Sequence, residues 1–145
     1  NIHFFEGTVA QNFIFYNGAM QEENMQELIE HFGLQKWLGG DSLNKILTEK
    51  FVQTLPNGVR QTLRLCIGLG NCEQNLVIID EPMLGCVGHF QKRFIALINE
   101  KLIDKTLIYT TNEKGLITAA DQCLLLDDKG GLKYAGFPDK ILKVL

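Results

Sequence analysis

Four apolar residues, Leu76-Val77-Ile78-Ile79, run directly into Asp80-Glu81-Pro82. A continuous apolar run of this kind, bounded by polar residues, marks a strand buried on both faces, as parallel strands are. Open α/β sheets bind ligands just outside the carboxyl ends of such strands. Two adjacent carboxylates there point in different directions. One could hold a magnesium ion through water while the next orients or deprotonates an attacking water, as in a nucleotide hydrolase. The same acids could equally end a strand and open a helix, where capping and the helix dipole favour them. On this strand alone both readings stand.

The remaining reactive residues form no competing constellation. His3, His31 and His89 are scattered, lack metal-ligand spacing and read as surface or helix residues. Cys66, Cys72, Cys86 and Cys123 form no C-x-x-C pair, and three fall in apolar or helical contexts, so they read as reduced, part-buried thiols of a cytosolic chain. Cys86 lies beside the acids but in an apolar stretch with no base nearby, which argues against a nucleophile.

The elements that would position the acids can be read from periodicity. Helices are predicted over Thr8 to Phe15 and Gln21 to Phe32, the second with Met25, Leu28, Ile29 and Phe32 on one face and Gly33 as its stop. Short helices are expected over Leu34 to Leu38 and Leu43 to Leu47, with Trp37 in a small helical core. After the turn Leu55-Pro56-Asn57-Gly58, Val59, Leu63, Cys66 and Ile67 share one face of a helix reaching Leu69. Beyond the first strand, Phe90, Phe94, Leu97, Ile98 and Leu102 recur at helical spacing, and Thr106 to Thr111 is a second buried strand. Strand, helix, strand is a crossover unit and predicts a parallel sheet. A short helix over Lys114 to Ala120 and a strand over Gln122 to Leu126 lead into the turn Asp127-Asp128-Lys129-Gly130-Gly131, a hairpin partner over Leu132 to Ala135, and a helix from Phe137 to Leu145 with Pro138 in its first turn.

The whole chain is consistent with one globular domain: 145 residues, 46% hydrophobic and 21% charged. A net charge of -3 without a Lys/Arg block argues against nucleic acid as a partner. No run approaches the roughly 18 apolar residues that span a bilayer, and no basic-then-apolar segment of the secretory kind stands at the front of these residues, so the chain reads as soluble. Its start at Asn1, without Met and close to the apolar Ile2-His3-Phe4-Phe5, reads as a cut through a larger protein.

Several segments, in order and at fitting intervals, resemble the ATP-binding-cassette (ABC) ATPase domains of exporters. Phe5-Glu6-Gly7-Thr8-Val9-Ala10-Gln11-Asn12 looks like the segment after the glutamine loop. Leu55-Pro56-Asn57-Gly58-Val59-Arg60-Gln61 stands where that family writes its Leu-Ser-Gly-Gly-Gln-Arg-Gln signature, and Leu76 through Pro82 matches the Walker B strand. Thr106 to Asn112 resembles the strand leading to the switch histidine. Ala119-Ala120-Asp121, with its succeeding strand and hairpin, resembles the family's alanine-aspartate, strand and hairpin beyond that histidine. Tyr134 to Pro138 is similar to the family's closing segment.

The resemblance implies an α/β fold: a partial ABC-cassette core with parallel strands plus an α-helical subdomain. Residues 1–70 would form the post-glutamine-loop segment and helical subdomain, and 71–145 the Walker B half of the core. It implies ATP and Mg2+ as cofactors of the parent protein, a second ABC ATPase domain and a transmembrane domain as partners, and a place at the cytoplasmic face of the membrane. Asp80 would hold Mg2+ through water and Glu81 would polarise the attacking water. Pro56, Asn57, Gly58 and Val59 would face the partner's nucleotide, and Asn112 would take the switch-histidine position. Trp37 or the segment Thr48-Glu49-Lys50 could meet the transmembrane partner.

The departures from the family pattern are specific. Its phosphate cradle, Gly-x-x-x-x-Gly-Lys-Ser/Thr, is missing from these residues, so the chain alone is expected to bind ATP weakly and to be inactive. Pro56 replaces the signature serine, losing a hydroxyl and an N–H at once, Asn57 replaces the first glycine, and Val59 the glutamine. Asn112 can donate a hydrogen bond but cannot carry charge. Met83-Leu84-Gly85-Cys86-Val87 stands where a loop ending in a site-coupling aspartate is expected. The implied function is a nucleotide-binding domain of an ABC exporter with a degenerate ATP site. The alternative is a non-catalytic interaction or dimerisation module, and a soluble ABC protein of DNA repair or translation fits less well.

Overall fold

The computed structural model describes residues 2–70 and 75–143; Cys72 and the end of the last predicted helix lie outside them. The chain divides into two compact units, Asn1–Tyr109 and Thr110–Leu145. In the first, helices α1 (Val9–Asn17), α2 (Glu22–Phe32), α3 (Gln35–Leu38), α4 (Glu49–Thr54) and α5 (Asn57–Leu69) precede strand β1 (Leu76–Ile79), helix α6 (Gly88–Lys101) and strand β2 (Thr106–Tyr109). The second holds helix α7 (Lys114–Thr118), strands β3 (Cys123–Leu126) and β4 (Leu132–Gly136), and helix α8 (Pro138–Ile141).

The Gly-Thr-Val segment folds as it does because Thr8 caps α1. Its hydroxyl accepts from the Gln11 amide at 3.1 Å, and the Gln11 side chain accepts from the Thr8 amide at 2.8 Å, a reciprocal capping box. Asn12, fully buried, clamps the chain entering the helix. Its Oδ1 accepts from the Phe5 amide at 3.1 Å, and its Nδ2 donates to the carbonyls of Phe5 (3.2 Å) and Thr8 (3.0 Å). Asn12→Leu removes the partner of the Phe5 amide and carbonyl, while the Thr8 carbonyl keeps the Asn12 amide, and is expected to cost about 1–3 kcal/mol. Urea unfolding measures this as a lower midpoint at unchanged slope.

The core of the first unit lies where α5 packs on α1 and α2. Phe13, Met25, Ile29, Phe32, Leu63, Cys66 and Ile67 are all 0% exposed there. The α2 stripe is the one expected from its spacing, and Gly33 ends the helix in the left-handed conformation at φ 66°. Arg93 of α6 then closes over that end. Its Nη1 donates to the carbonyls of Glu30 (3.3 Å) and His31, while the His31 ring Nε2 donates to the Arg93 carbonyl at 2.7 Å. A Cβ at position 33 would stand 2.8 Å from that guanidinium, so glycine serves the contact as well as the turn.

Strands β1 and β2 pair in parallel, Leu76 with Thr106 through Ile79 with Tyr109, as the crossover pattern predicts. Several expectations need correction. Neither strand is buried on both faces: Leu76 (48% exposed), Ile78 (70%) and Ile108 (52%) face outward, while the opposite face is half-buried, with Phe94 of α6 edge-on to Tyr109. The second strand stops at Tyr109, and Thr110 and Thr111 lie beyond it. Residues 43–47 form no helix. They run beside the start of α1, where the free first-turn amides of Val9 and Ala10 take the carbonyls of Lys45 (2.9 Å) and Leu43 (3.0 Å), and Ile46 bridges Thr8. The helix forms later, as α4, where the Thr48 hydroxyl caps the Phe51 amide. Trp37 is not part of a helical core but 40% exposed; Leu38 fills that role at 3%.

In the second unit β3 and β4 form the expected antiparallel hairpin. Asp127 folds its turn: its Oδ1 accepts from the amides of Lys129 (2.9 Å) and Gly131 (2.7 Å). Leu116, Ile117 and Ile141 are the buried residues of α7 and α8, and Pro138 opens α8.

Candidate functional site

The carboxyl end of β1 delivers Asp80 to an exposed position and turns sharply at Glu81, which is half-buried. Glu81 has φ 46°, making it the one non-glycine residue with positive φ among the described residues. Residues 81–86 then fold into successive turns: the Leu84 amide donates to the Glu81 carbonyl at 3.2 Å and the Cys86 amide to the Met83 carbonyl at 3.0 Å. Pro82 and Met83 anchor this loop in the interior, whereas Leu84 and Val87 are exposed.

The loop rests on the first two turns of α5. A Cβ at Gly58 would stand 3.1 Å from the Gly85 carbonyl oxygen and 3.2 Å from Cys86 Cα, so the absence of a side chain lets the two backbones meet. Thr62, fully buried, donates to the Gly58 carbonyl at 2.7 Å, and Cys86 Sγ lies 3.5 Å from the same oxygen and 3.7 Å from the Thr62 hydroxyl. Gln61 Nε2 donates to the Glu81 carbonyl at 3.4 Å. Gly58, Gln61 and Thr62, spaced at three and four residues, form one seat for the loop. Sequence reasoning missed this seat; the i, i+3, i+4 spacing of these residues was its only trace.

The expected signature positions separate on inspection. Pro56 is the N-cap of α5 without a side-chain cap, and Asn57 is exposed with its Oδ1 taking a hydrogen bond from Arg60. Gly58 is half-buried, whereas Val59 is 2% exposed and belongs to the core. The first-turn amides of α5 have no intrahelical acceptor, and no acid lies among those residues, so this helix end suits an anion. Asn112 is exposed in the second unit, two residues ahead of α7.

Among the described residues the thiols are poorly suited to nucleophilic chemistry. Burial pushes the Cys66 thiol far up; burial also raises Cys86, partly offset by its contact with Thr62, and burial raises Cys123. Among the described residues no three His, Cys, Asp or Glu side chains converge on a metal position. A single exposed carboxylate suits magnesium, which keeps several waters and binds through one or two carboxylates together with substrate phosphates.

No family model matches the chain. Over 88% of its residues it is 25% identical to the glutathione/L-cysteine transport system ATP-binding/permease protein CydC of Escherichia coli strain K12. It is 28% identical over 88% of its residues to the protein of the same description from Haemophilus influenzae. The solved structure of a bacterial Atm1-family ABC exporter with ATP bound superposes on 97% of the chain with a TM-score of 0.79 at 15% identity. In sequence the chain resembles ABC exporter ATP-binding/permease proteins, and in fold an ABC exporter. It spans about a quarter of the length of these relatives: 22% of each CydC and 24% of the exporter chain. No helix of the chain, among the described residues, is long and apolar enough to cross a membrane.

Proposed function

We propose that the chain serves in the nucleotide-binding domain of an ABC exporter, where ATP binding and hydrolysis drive transport, and that its ATP site is degenerate. The observation that carries this is the Asp80-Glu81 pair at the carboxyl end of a parallel strand, with its loop seated on the head of α5. Residues 1–70 act as the helical, signature-bearing part and 71–145 as the Walker B half. Asp80 holds magnesium through water, and the bound ion supplies charge neutralisation at the phosphates. Glu81 orients the attacking water. Pro56, Asn57 and Gly58 face a nucleotide held by a second cassette, with Val59 beneath them as their support. Asn112 stands in for the switch histidine.

The erosion is concentrated where a phosphate would be touched or sensed. Proline at position 56 has neither hydroxyl nor N–H, so only the amides beyond it remain. An exposed apolar surface supports a transmembrane-domain partner at the cytoplasmic face: Ile14 (48%) and Phe15 (70%) border, with Phe5, Glu6 and Gln11, an open cavity of about 410 Å³.

Nucleotide binding and turnover of the full-length protein test the proposal. We expect magnesium-dependent ATP binding with turnover far below the roughly 10 s⁻¹ typical of enzymes. Glu81→Gln is expected to remove that remainder and leave binding intact. Turnover at an ordinary rate, abolished by Glu81→Gln, overturns the degenerate reading. Failure to bind nucleotide overturns the ATPase reading in favour of a non-catalytic interaction module.

A further inference from the structure

Glu81 occupies a left-handed backbone conformation, φ 46°, that costs a residue with a Cβ about 1–3 kcal/mol and persists only when its surroundings hold it. The direction of its side chain is set by that conformation, because φ and ψ fix where the Cα–Cβ bond points. The Glu81 carbonyl is held from two sides. The Leu84 amide, at 3.2 Å, belongs to the loop itself. Gln61 Nε2, at 3.4 Å, reaches across from α5.

The rest of the seat makes that contact consequential. Gly58 fits against Gly85 and Cys86 so closely that a methyl group would push the loop back by a few tenths of an ångström, and Thr62 ties the Gly58 carbonyl from within the same helix. The loop and the first two turns of α5 are therefore joined at Glu81 and again at Gly85 and Cys86. The tie is long and has room to shorten, as catalytic contacts do on closing. Val87, at the position where the family pattern has its site-coupling aspartate, is exposed and carries no charge.

We propose that Gln61 is a positioning residue: through the Glu81 carbonyl it links the nucleotide-facing head of α5 to the direction of the Glu81 carboxylate. The inference rests on the reading of Glu81 as the group that orients water. A displacement of the head of α5 shortens or breaks the Gln61 contact, and Glu81 moves with it.

Two measurements test this with three variants. Gln61→Met keeps the length and removes the donor, Gln61→Glu keeps the shape and removes the donor, and Gln61→Lys restores an N–H of similar reach. The first measurement is the ¹³C carbonyl resonance of Glu81. It is expected to move upfield in Gln61→Met and Gln61→Glu and to return in Gln61→Lys. The second is ATP hydrolysis by the full-length protein. In Gln61→Met kcat is expected to fall on the order of tenfold to a hundredfold, the penalty of a small misplacement. KM for ATP should be unchanged, and Gln61→Lys should recover most of kcat. A Glu81 resonance identical in wild type, Gln61→Met and Gln61→Glu overturns the tie, and so does a moved resonance with unaltered kcat. A wild-type protein without turnover overturns the hydrolytic reading of Glu81, while the resonance still decides whether Gln61 holds it, so the two failures are distinguishable.

Discussion

Restoring a serine and a glycine at the head of α5, Pro56→Ser with Asn57→Gly, is expected to raise ATP turnover of the full-length protein by about 10²–10³-fold. That is the loss usually seen when one hydrogen-bond donor to a developing charge is removed. Serine returns two donors, its hydroxyl and its N–H. The backbone already suits it, since Pro56 sits at φ -55° and ψ 148°, in the extended range of an N-cap. Glycine at position 57 removes a side chain now tied to Arg60 and lets a phosphate approach the first-turn amides. A serine N-cap also strengthens the helix by about 1 kcal/mol, so unchanged turnover cannot be put down to a folding defect. Val59 is left alone because it is core. Unchanged turnover in the double variant would move the deficit away from the signature turn.

Leu63→Ala is expected to cost about 2–5 kcal/mol, the largest stability effect of a single side chain considered for this chain. Leu63 is fully buried midway along α5, the helix on which both α1 and α2 pack. Domains of this size have only about 5–15 kcal/mol of net stability. Calorimetry should show a melting temperature lower by roughly 5–15 °C. The outward-facing Ile103, 72% exposed, provides the comparison: Ile103→Ala should change stability by no more than about 0.5 kcal/mol.

Local signals survived translation into structure wherever the chain's own periodicity or chemistry decides. The α2 stripe, the Gly33 stop, Pro138 opening α8 and the apolar run ending in Asp80-Glu81 all lie where the residues put them. Features that depend on a distant segment were not legible. Residues 43–47 have helical composition, but their carbonyls are claimed by the free amides of α1, which lies more than thirty residues earlier in the chain. Val59 carried two readings: its helical spacing put it on one face with Leu63, Cys66 and Ile67, where the structure buries it, whereas the motif it belongs to was read as outward-facing. The first strand was expected to be covered on both sides because its residues are all apolar, and the second to be buried beside it, but composition does not say what lies over a face. The contact between Gln61 and Glu81 spans twenty residues and leaves no mark in either segment taken alone.

The left-handed turn at Glu81 acts as a filter on sequence drift. Single-base changes of a glutamate codon reach lysine, glutamine, alanine, valine, aspartate and glycine. At φ 46° the backbone penalises valine most, tolerates aspartate, and is relieved of its strain by glycine. Considered as backbone alone, position 81 thus has a downhill exit one nucleotide away. The turn beside it carries proline and asparagine where the resembled family has serine and glycine, while this glutamate stands on a slope that favours leaving it. What holds it there is to be sought in what its carboxylate does.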